Sequence, residues 1–340
     1  MPDQKQRLRH SADSEPGYSR KRMGRYWAYF DEHGERITDR DEIDRLNAIG
    51  LPPAYEQAWF CKDSNGHLQA TGVDARGRKQ YRYHADFRQK RENAKFDGLL
   101  AFGKALPKIR RRVEEDLKRR SLTREAVLAA VVRLLDTQHI RIGNEAYAKE
   151  NKSFGATTLR RRHLKKTGHG LMMRFAGKHG IVHEVKITDS NLKRICKRCQ
   201  DLPGQMLFQY VNGDCEPKPV TSTDVNDYIR EAGKADFTAK HFRTWGASVI
   251  AFEQLLKKRE DARISVKTVV EPVAEALGNT PAISRKSYVH PGLLDAVKDD
   301  ARDPLDGMQR PSARKRLSSY EVGLLQFLEA GKPRRRKRAG

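Results

Sequence analysis

The feature that most constrains how this 340-residue chain can fold is a change of sequence period near residue 88. Before it, short apolar runs are cut by turn residues. Trp27 to Phe30 runs into Asp31-Glu32-His33-Gly34, and Gln57 to Cys61 runs into Ser64-Asn65-Gly66. An Asn-Gly pair between apolar runs is a strong hairpin signal. Between them, Asp39 with Glu42 has the form of a capping box, and Ile43 and Leu46 predict a short helix ended by Gly50 and Pro52. After residue 88 the pattern turns helical. Residues 88–120 are rich in Arg, Lys and Glu, and Ala126, Val127, Ala130, Val131, Leu134 and Leu135 trace a wide apolar stripe that marks a buried helix. Strands are expected at Thr157 to Leu159, Leu171 to Phe175 and Ile181 to Ile187, the last two joined by the turn Ala176-Gly177-Lys178-His179-Gly180. Helices are expected around 189–200, 223–232, 239–257 and 265–277. Thr280-Pro281 opens a further short one toward Tyr288, since proline suits a first helical position. The fold class is therefore α+β. The expected organisation is a disordered basic arm (1–24), a small β-rich domain (25–90), a mostly helical domain (91–310) and a C-terminal segment (311–340) ending in the basic run Lys332 to Arg338.

Lys and Arg number 68 against 44 acidic residues, a formal net charge of +24. That balance points to a polyanionic partner, bound by neutralising phosphates and releasing their counterions. An acidic membrane surface is the competing partner, but no segment has the apolar length of a membrane span and the first residues lack a signal peptide's apolar core. A cytosolic protein is expected. Cys61, Cys196, Cys199 and Cys215 are too few and too scattered for a disulfide framework. Cys196 and Cys199 have zinc-ligand spacing, yet no second pair completes a site. With Leu192 and Ile195 they fall on one helical stripe, so packed core cysteines and no metal are expected.

The stretch from Gly278-Asn279-Thr280-Pro281 to Arg285-Lys286-Ser287-Tyr288 sets a tyrosine hydroxyl among cations. A free phenol ionises near pH 10 and is a poor nucleophile at neutrality. Fixed positive charge favours the phenolate and so activates it toward a phosphodiester. Cleaving such a bond also requires neutralising the non-bridging oxygens and a proton for the leaving oxygen. The chain has no clustered carboxylate motif, HExxH or Walker loop; Gly177-Lys178 lacks the glycine spacing of a P-loop. Arginines are the natural replacement for a metal, because the guanidinium fork holds two phosphate oxygens and stays charged. Candidates stand in Arg141-Ile142-Gly143-Asn144, at the hairpin lysine Lys178, and in Lys240-His241-Phe242-Arg243, where Lys240 and Arg243 share a helix face. Singly each is unremarkable in so basic a chain; the joint order is the signal.

That order resembles the type IB DNA topoisomerases, closest to the small poxvirus-like branch that also occurs in bacteria. Arg141-Ile142-Gly143, Phe175-Ala176-Gly177-Lys178, Lys240 to Gly246 and Gly278 to Tyr288 carry the resemblance. Gly77-Arg78-Lys79-Gln80-Tyr81-Arg82-Tyr83 resembles that branch's DNA-contacting strand. The likeness covers about residues 25 to 300. It implies a catalytic domain of the tyrosine recombinase/type IB topoisomerase fold, with Tyr288 as nucleophile forming a 3′-phosphotyrosyl link. Arg141 and Arg243 then hold the phosphate oxygens, Lys178 acts as general acid assisted by Arg141, and Lys240 supports the phosphate. Gln80, Tyr81, Tyr83 and Tyr147 are implied DNA contacts. It also implies a monomeric clamp around duplex DNA at the nucleoid, working without ATP, cofactor or obligatory metal. The viral members and most tyrosine recombinases carry histidine where this chain has Asn279, which can donate a hydrogen bond but cannot supply a proton. The rival readings are a tyrosine recombinase, which usually has histidine where Lys240 stands and a helical first domain, and a non-catalytic architectural DNA-binding protein.

Overall fold

The computed structural model describes residues 7–168, 170–211, 213, 216–257, 264–297 and 310–331. The chain divides into two compact units, Met1–Lys95 and Phe96–Gly340. The first is built on sheets and the second is mostly helical, so the α+β class holds.

In the first unit, β1 (Ser19–Met23) and β2 (Tyr26–Phe30) form an antiparallel hairpin. Helix α1 (Arg40–Ala48) follows, its first turn capped by the Asp39 carboxylate, which accepts from the Asp41 amide. Glu42 does not close a capping box: it pairs with Arg45, which also donates to the Cys61 carbonyl. Strands β3 (Glu56–Phe60), β4 (Leu68–Val73) and β5 (Lys79–Tyr83) form an antiparallel sheet in that order. The β3–β4 connection turns at Asp63 to Gly66, where the Asn65-Gly66 signal lies. Tyr29, Leu46, Leu51, Phe60 and Ala70 make the small core.

Residues 7–24 depart from the disordered arm expected over 1–24. Arg9 bridges Gly66, and the Ser11 hydroxyl donates to the Leu68 carbonyl while accepting from the Leu68 amide. The Trp59 indole donates to the Glu15 carbonyl, and Tyr18 exchanges both backbone hydrogen bonds with Phe60. These anchors are backbone bonds with one hydroxyl and one indole N–H. They leave no apolar periodicity for sequence reading to detect.

The helical run expected over 88–120 is two helices, α2 (Ala85–Asp97) and α3 (Leu99–Leu117), separated at Gly98; glycine is the weakest helix former short of proline. Helix α4 (Arg124–Gln138), capped by Thr123, is buried along nearly its whole length, as its stripe predicts. Next come α5 (Glu145–Asn151) and the antiparallel strands β6 (Leu164–Thr167), β7 (Gly170–Ala176) and β8 (Val182–Ile187). Then follow α6 (Ser190–Asp201), the strand pair β9 (Gln209–Val211) and β10 (Pro217–Pro219), α7 (Ser222–Gly233) and α8 (Ala239–Lys257). The last described elements are α9 (Val266–Leu277), α10 (Pro281–Ser287), α11 (Pro291–Asp295) and α12 (Ser319–Ala330).

Thr157 to Leu159 is not a strand. Ala156–Thr158 is a tight 3-10 turn, because the Thr157 hydroxyl donates to the Ile142 carbonyl and the Thr158 hydroxyl accepts from the Gly155 amide. Threonine hydroxyls that find local backbone partners compete with a strand ladder. β6 escapes prediction because only Leu164 in it is apolar.

Helices α3, α4, α7, α8 and α12 pack together around one core. At Gly103 on α3 a Cβ would lie 2.3 Å from the Trp245 indole of α8, so that glycine admits the ring. Arg110 lies between Asp136 and Glu321, 2.8 Å from each, and the Trp245 indole also donates to Glu321. Helix α12 is thus tied into the core of this unit, with Val322, Leu324 and Phe327 buried. Cys196 and Cys199 are fully buried on α6; burial pushes both thiols up, Cys199 to about 12. Among the described residues no group of His, Cys, Asp or Glu is placed to hold a metal, and no helix is long and apolar enough to cross a membrane. Cys215 and the basic run from Lys332 to Arg338 lie outside the described residues.

Candidate active site

Helix α4 ends at His139 in the left-handed conformation, which turns the chain into the segment carrying Arg141. The chain at 154–157, which leads into the 3-10 turn at Ala156–Thr158, crosses this segment. Ala156 donates to the Arg141 carbonyl and Thr157 to the Ile142 carbonyl, each at 2.8 Å, while Phe154 donates to Ala176 at the end of β7. The crossing needs Gly155, where a Cβ would lie 2.5 Å from the Arg141 carbonyl oxygen. One short stretch of chain therefore ties the Arg141 segment to the β7–β8 hairpin. At the hairpin tip Gly177 donates to the Ile181 carbonyl at 2.7 Å, and Lys178 stands exposed in the turn.

The nucleophile candidate arrives by a different route. Helix α9 stops at Gly278 (φ +58°), Thr280 caps α10 through its hydroxyl, and Pro281 takes the first helical position. Seven helical residues later Tyr288 is the C-cap, its carbonyl accepting from the buried Ser248 hydroxyl of α8. Lys240 and Arg243 come from the first turns of α8.

These elements surround a cleft of 420 Å³ lined by Arg141, Tyr147, Lys178, Lys240, Arg243 and Tyr288, with Ile142 and Phe154 supplying apolar wall. Arg141 Nη2 donates to Asn279 Oδ1 at 2.6 Å, and the Asn279 amide nitrogen is buried without a partner among the described residues. Arg243 is 4% exposed and donates to the carbonyls of His139 and Leu277. Its guanidinium carbon lies 5.0 Å from the Tyr288 ring centroid. Burial alone would raise the Tyr288 pKa, but Arg243, aided by Arg141 and Lys178, outweighs it and holds the phenol below its ordinary 10. Arg243 is itself held below the usual guanidinium range by burial and by Arg141. No carboxylate pairs with Arg243 among the described residues. A buried, unpaired cation leaves the cleft complementary to an anion.

Of the residues singled out from sequence, Arg141, Tyr147, Lys178, Lys240, Arg243 and Tyr288 meet in this cleft, with Asn279 held on Arg141. Gln80, Tyr81 and Tyr83 lie on β5 in the first unit. Strand alternation puts Tyr81 and Tyr83 on one face, ring centroids 6.1 Å apart, and Gln80 on the other, where it donates to Asp74. Sequence reading missed Phe154, Ser248 and His183. Only His183 left a trace: it continues the alternating face of β8 that includes Val185 and Ile187.

The family described as the catalytic core of eukaryotic DNA topoisomerase I matches residues 84–305, a span that includes every residue of this cleft. The chain belongs to the type IB DNA topoisomerases. A second family, the N-terminal domain of bacterial DNA topoisomerase IB, matches residues 26–74. The DNA topoisomerase 1B of Acanthamoeba polyphaga mimivirus is 30% identical over 328 residues, covering 91% of this chain and 96% of that protein. The DNA topoisomerase 1B of Vaccinia virus (strain Copenhagen) is 26% identical over 255 residues, covering 72% of this chain and 76% of that one. These relatives place the topoisomerase with the poxvirus-like branch. It is an enzyme that relaxes DNA, and DNA is its partner.

Proposed function

We propose that Tyr288, having lost its phenolic proton to solvent, cleaves one strand of duplex DNA by attacking a backbone phosphorus as the phenolate. The phosphorus–oxygen bond to the 5′-oxygen breaks as the 3′-phosphotyrosyl bond forms, and Lys178 gives that oxygen its proton. Arg141 and Arg243 hold the non-bridging oxygens, and Lys240 supports the phosphate from α8. The unpartnered Asn279 amide nitrogen donates to the charge that builds in the transition state, an electrostatic contribution and not a proton transfer. After the cut strand has swivelled, the 5′-hydroxyl attacks the phosphotyrosine and returns the proton to Lys178. The bond energy is kept in the protein–DNA link, so neither ATP nor an obligatory metal enters.

The observation that carries this reading is Arg243, buried with no carboxylate partner among the described residues and lying against the ring of a tyrosine whose pKa it lowers. A catalytic domain of the tyrosine recombinase/type IB topoisomerase fold, a monomer closing on duplex DNA, and action at the nucleoid are parts of the same proposal, supported by the family and by the net charge of +24. Relaxation of a supercoiled plasmid in EDTA without ATP tests it. The wild-type chain is expected to relax the plasmid and Tyr288→Phe to leave it supercoiled. A requirement for paired recombination sites, or relaxation surviving in Tyr288→Phe, overturns the assignment.

A further inference from the structure

His183 packs against Gly177 and Gly278, next to the cleft residue Lys178 and to Asn279, but has no part in the chemistry above. It pairs with Phe175 across the β7–β8 hairpin, and the two rings stack with centroids 5.2 Å apart and planes inclined by 19°. Glycines bound its other sides. A Cβ on Gly177, the residue before Lys178, would lie 2.6 Å from both Cδ2 and Nε2 of the imidazole. A Cβ on Gly278, the residue before Asn279, would lie 2.7 Å from Cε1. Gly177 has an ordinary φ of −88°, so its missing side chain answers the ring and not a backbone requirement. Burial, with Arg141 and Arg243 nearby, keeps the imidazole below its ordinary pKa of 6.5, so it adds packing without charge at neutral pH.

We propose that His183 is a positioning residue, a planar wedge that sets the distance between the hairpin bearing Lys178 and the turn that leads through Asn279 to Tyr288. The inference rests on the reading that Lys178 serves the leaving 5′-oxygen. Without the ring, the hairpin tip keeps its own turn bonds but loses its closest contact at Gly278; the Ile181 side chain, whose Cγ2 would lie 3.6 Å from a Cβ there, is a looser one. A misplacement of about 1 Å in a reacting group costs on the order of 10²-fold in rate.

The test compares cleavage of an ordinary phosphodiester with that of a 5′-bridging phosphorothiolate, whose sulfur leaves without a proton. His183→Ala is expected to slow the first by about 10- to 100-fold and to leave the second near wild type. His183→Phe, which keeps a planar ring, is expected to restore most of the rate. In a Lys178→Ala background the loss of His183 should cost nothing more, since coupled positions are not additive. Gly177→Ala, which drives a Cβ into the ring without straining the backbone, should reproduce the substrate-selective defect should His183→Ala prove unstable. Equal defects on both substrates, additive losses with Lys178→Ala, or failure of His183→Phe to restore the rate in a folded protein each overturn the inference. If Lys178→Ala is itself not rescued by the phosphorothiolate, the acid role of Lys178 fails separately. The coupling between the two positions then decides the case for His183.

Discussion

Replacing Asn279 by aspartate changes one nitrogen to oxygen and separates stability from catalysis at this site. In the wild type Asn279 Oδ1 accepts from Arg141 Nη2 at 2.6 Å. This contact fixes the amide orientation and leaves Nδ2 as a buried donor with no partner among the described residues. In Asn279→Asp the same contact becomes an ion pair. Unit charges about 4 Å apart attract by about 4 kcal/mol at an effective dielectric of 20, and desolvation and screening reduce the net gain to about 0–1 kcal/mol. The fold should therefore be unchanged or slightly stabilised. Catalysis loses twice: the Nδ2 donor is gone, and part of the Arg141 charge is spent on the new carboxylate. Removing one preorganised donor to a developing oxyanion costs about 2.7–4 kcal/mol, or 10²- to 10³-fold in rate. The assay is single-turnover formation of the covalent protein–DNA adduct on a short nicked duplex, beside a urea melt of each protein. Asn279→His, which supplies a donor again, should recover most of the lost rate. Cleavage by Asn279→Asp within about tenfold of wild type, with the urea midpoint intact, would show that Nδ2 does not face the phosphate and would refute the argument.

Arg243→Ala removes the foremost cation holding the Tyr288 phenol below 10, so the rise of adduct formation with pH should move to higher pH, read from a single-turnover pH profile. An unmoved profile would mean that the rise does not report Tyr288. Glu321→Ala strips one of two carboxylates from half-buried Arg110, which keeps Asp136, and leaves the buried Trp245 indole N–H without its acceptor; an unsatisfied buried donor costs about 1–3 kcal/mol, measurable as a lower urea midpoint. His163 is buried as the neutral imidazole, with its pKa lowered to about 4 by burial first and then by Arg162 and Arg160. Because the unfolded chain binds this proton near pH 6.5, the stability His163 confers is complete above that pH and is lost as pH falls toward 4. His163→Gln should flatten that part of the stability–pH curve.

Much of the fold was legible because its signals are local. The stripe from Ala126 to Leu135 foretold α4, and Asn65-Gly66 marked the β3–β4 turn. Thr280-Pro281 announced the cap and first turn of α10. The failures share a physical cause. Residues 7–24 are held by bonds from Ser11, Glu15 and Tyr18 to strands about fifty residues away, and such partners leave no periodic trace. Thr157 has a strand former's branched side chain, yet its hydroxyl finds the Ile142 carbonyl. The placement of α12 could not be read from its amphipathic pattern, because buried Glu321 depends on the distant Arg110 and Trp245 besides its local cap at Ser318.

The sequence by itself determined the inventory: an α+β chain of strong positive charge, carrying Arg141, Lys178, Arg243, Asn279 and Tyr288 in the order that its family shares. What the inventory does could be settled only by distance. Tertiary structure brought Arg243 onto the Tyr288 ring, joined Arg141 to Asn279, and seated His183 between two glycines a hundred residues apart. Local periodicity reports which face of an element is buried, whereas the pKa of a phenol or the aim of a lysine depends on charges and contacts within a few ångströms. Those neighbours come from distant parts of the chain, so the chemistry of the cleft exists only once the fold has brought them together.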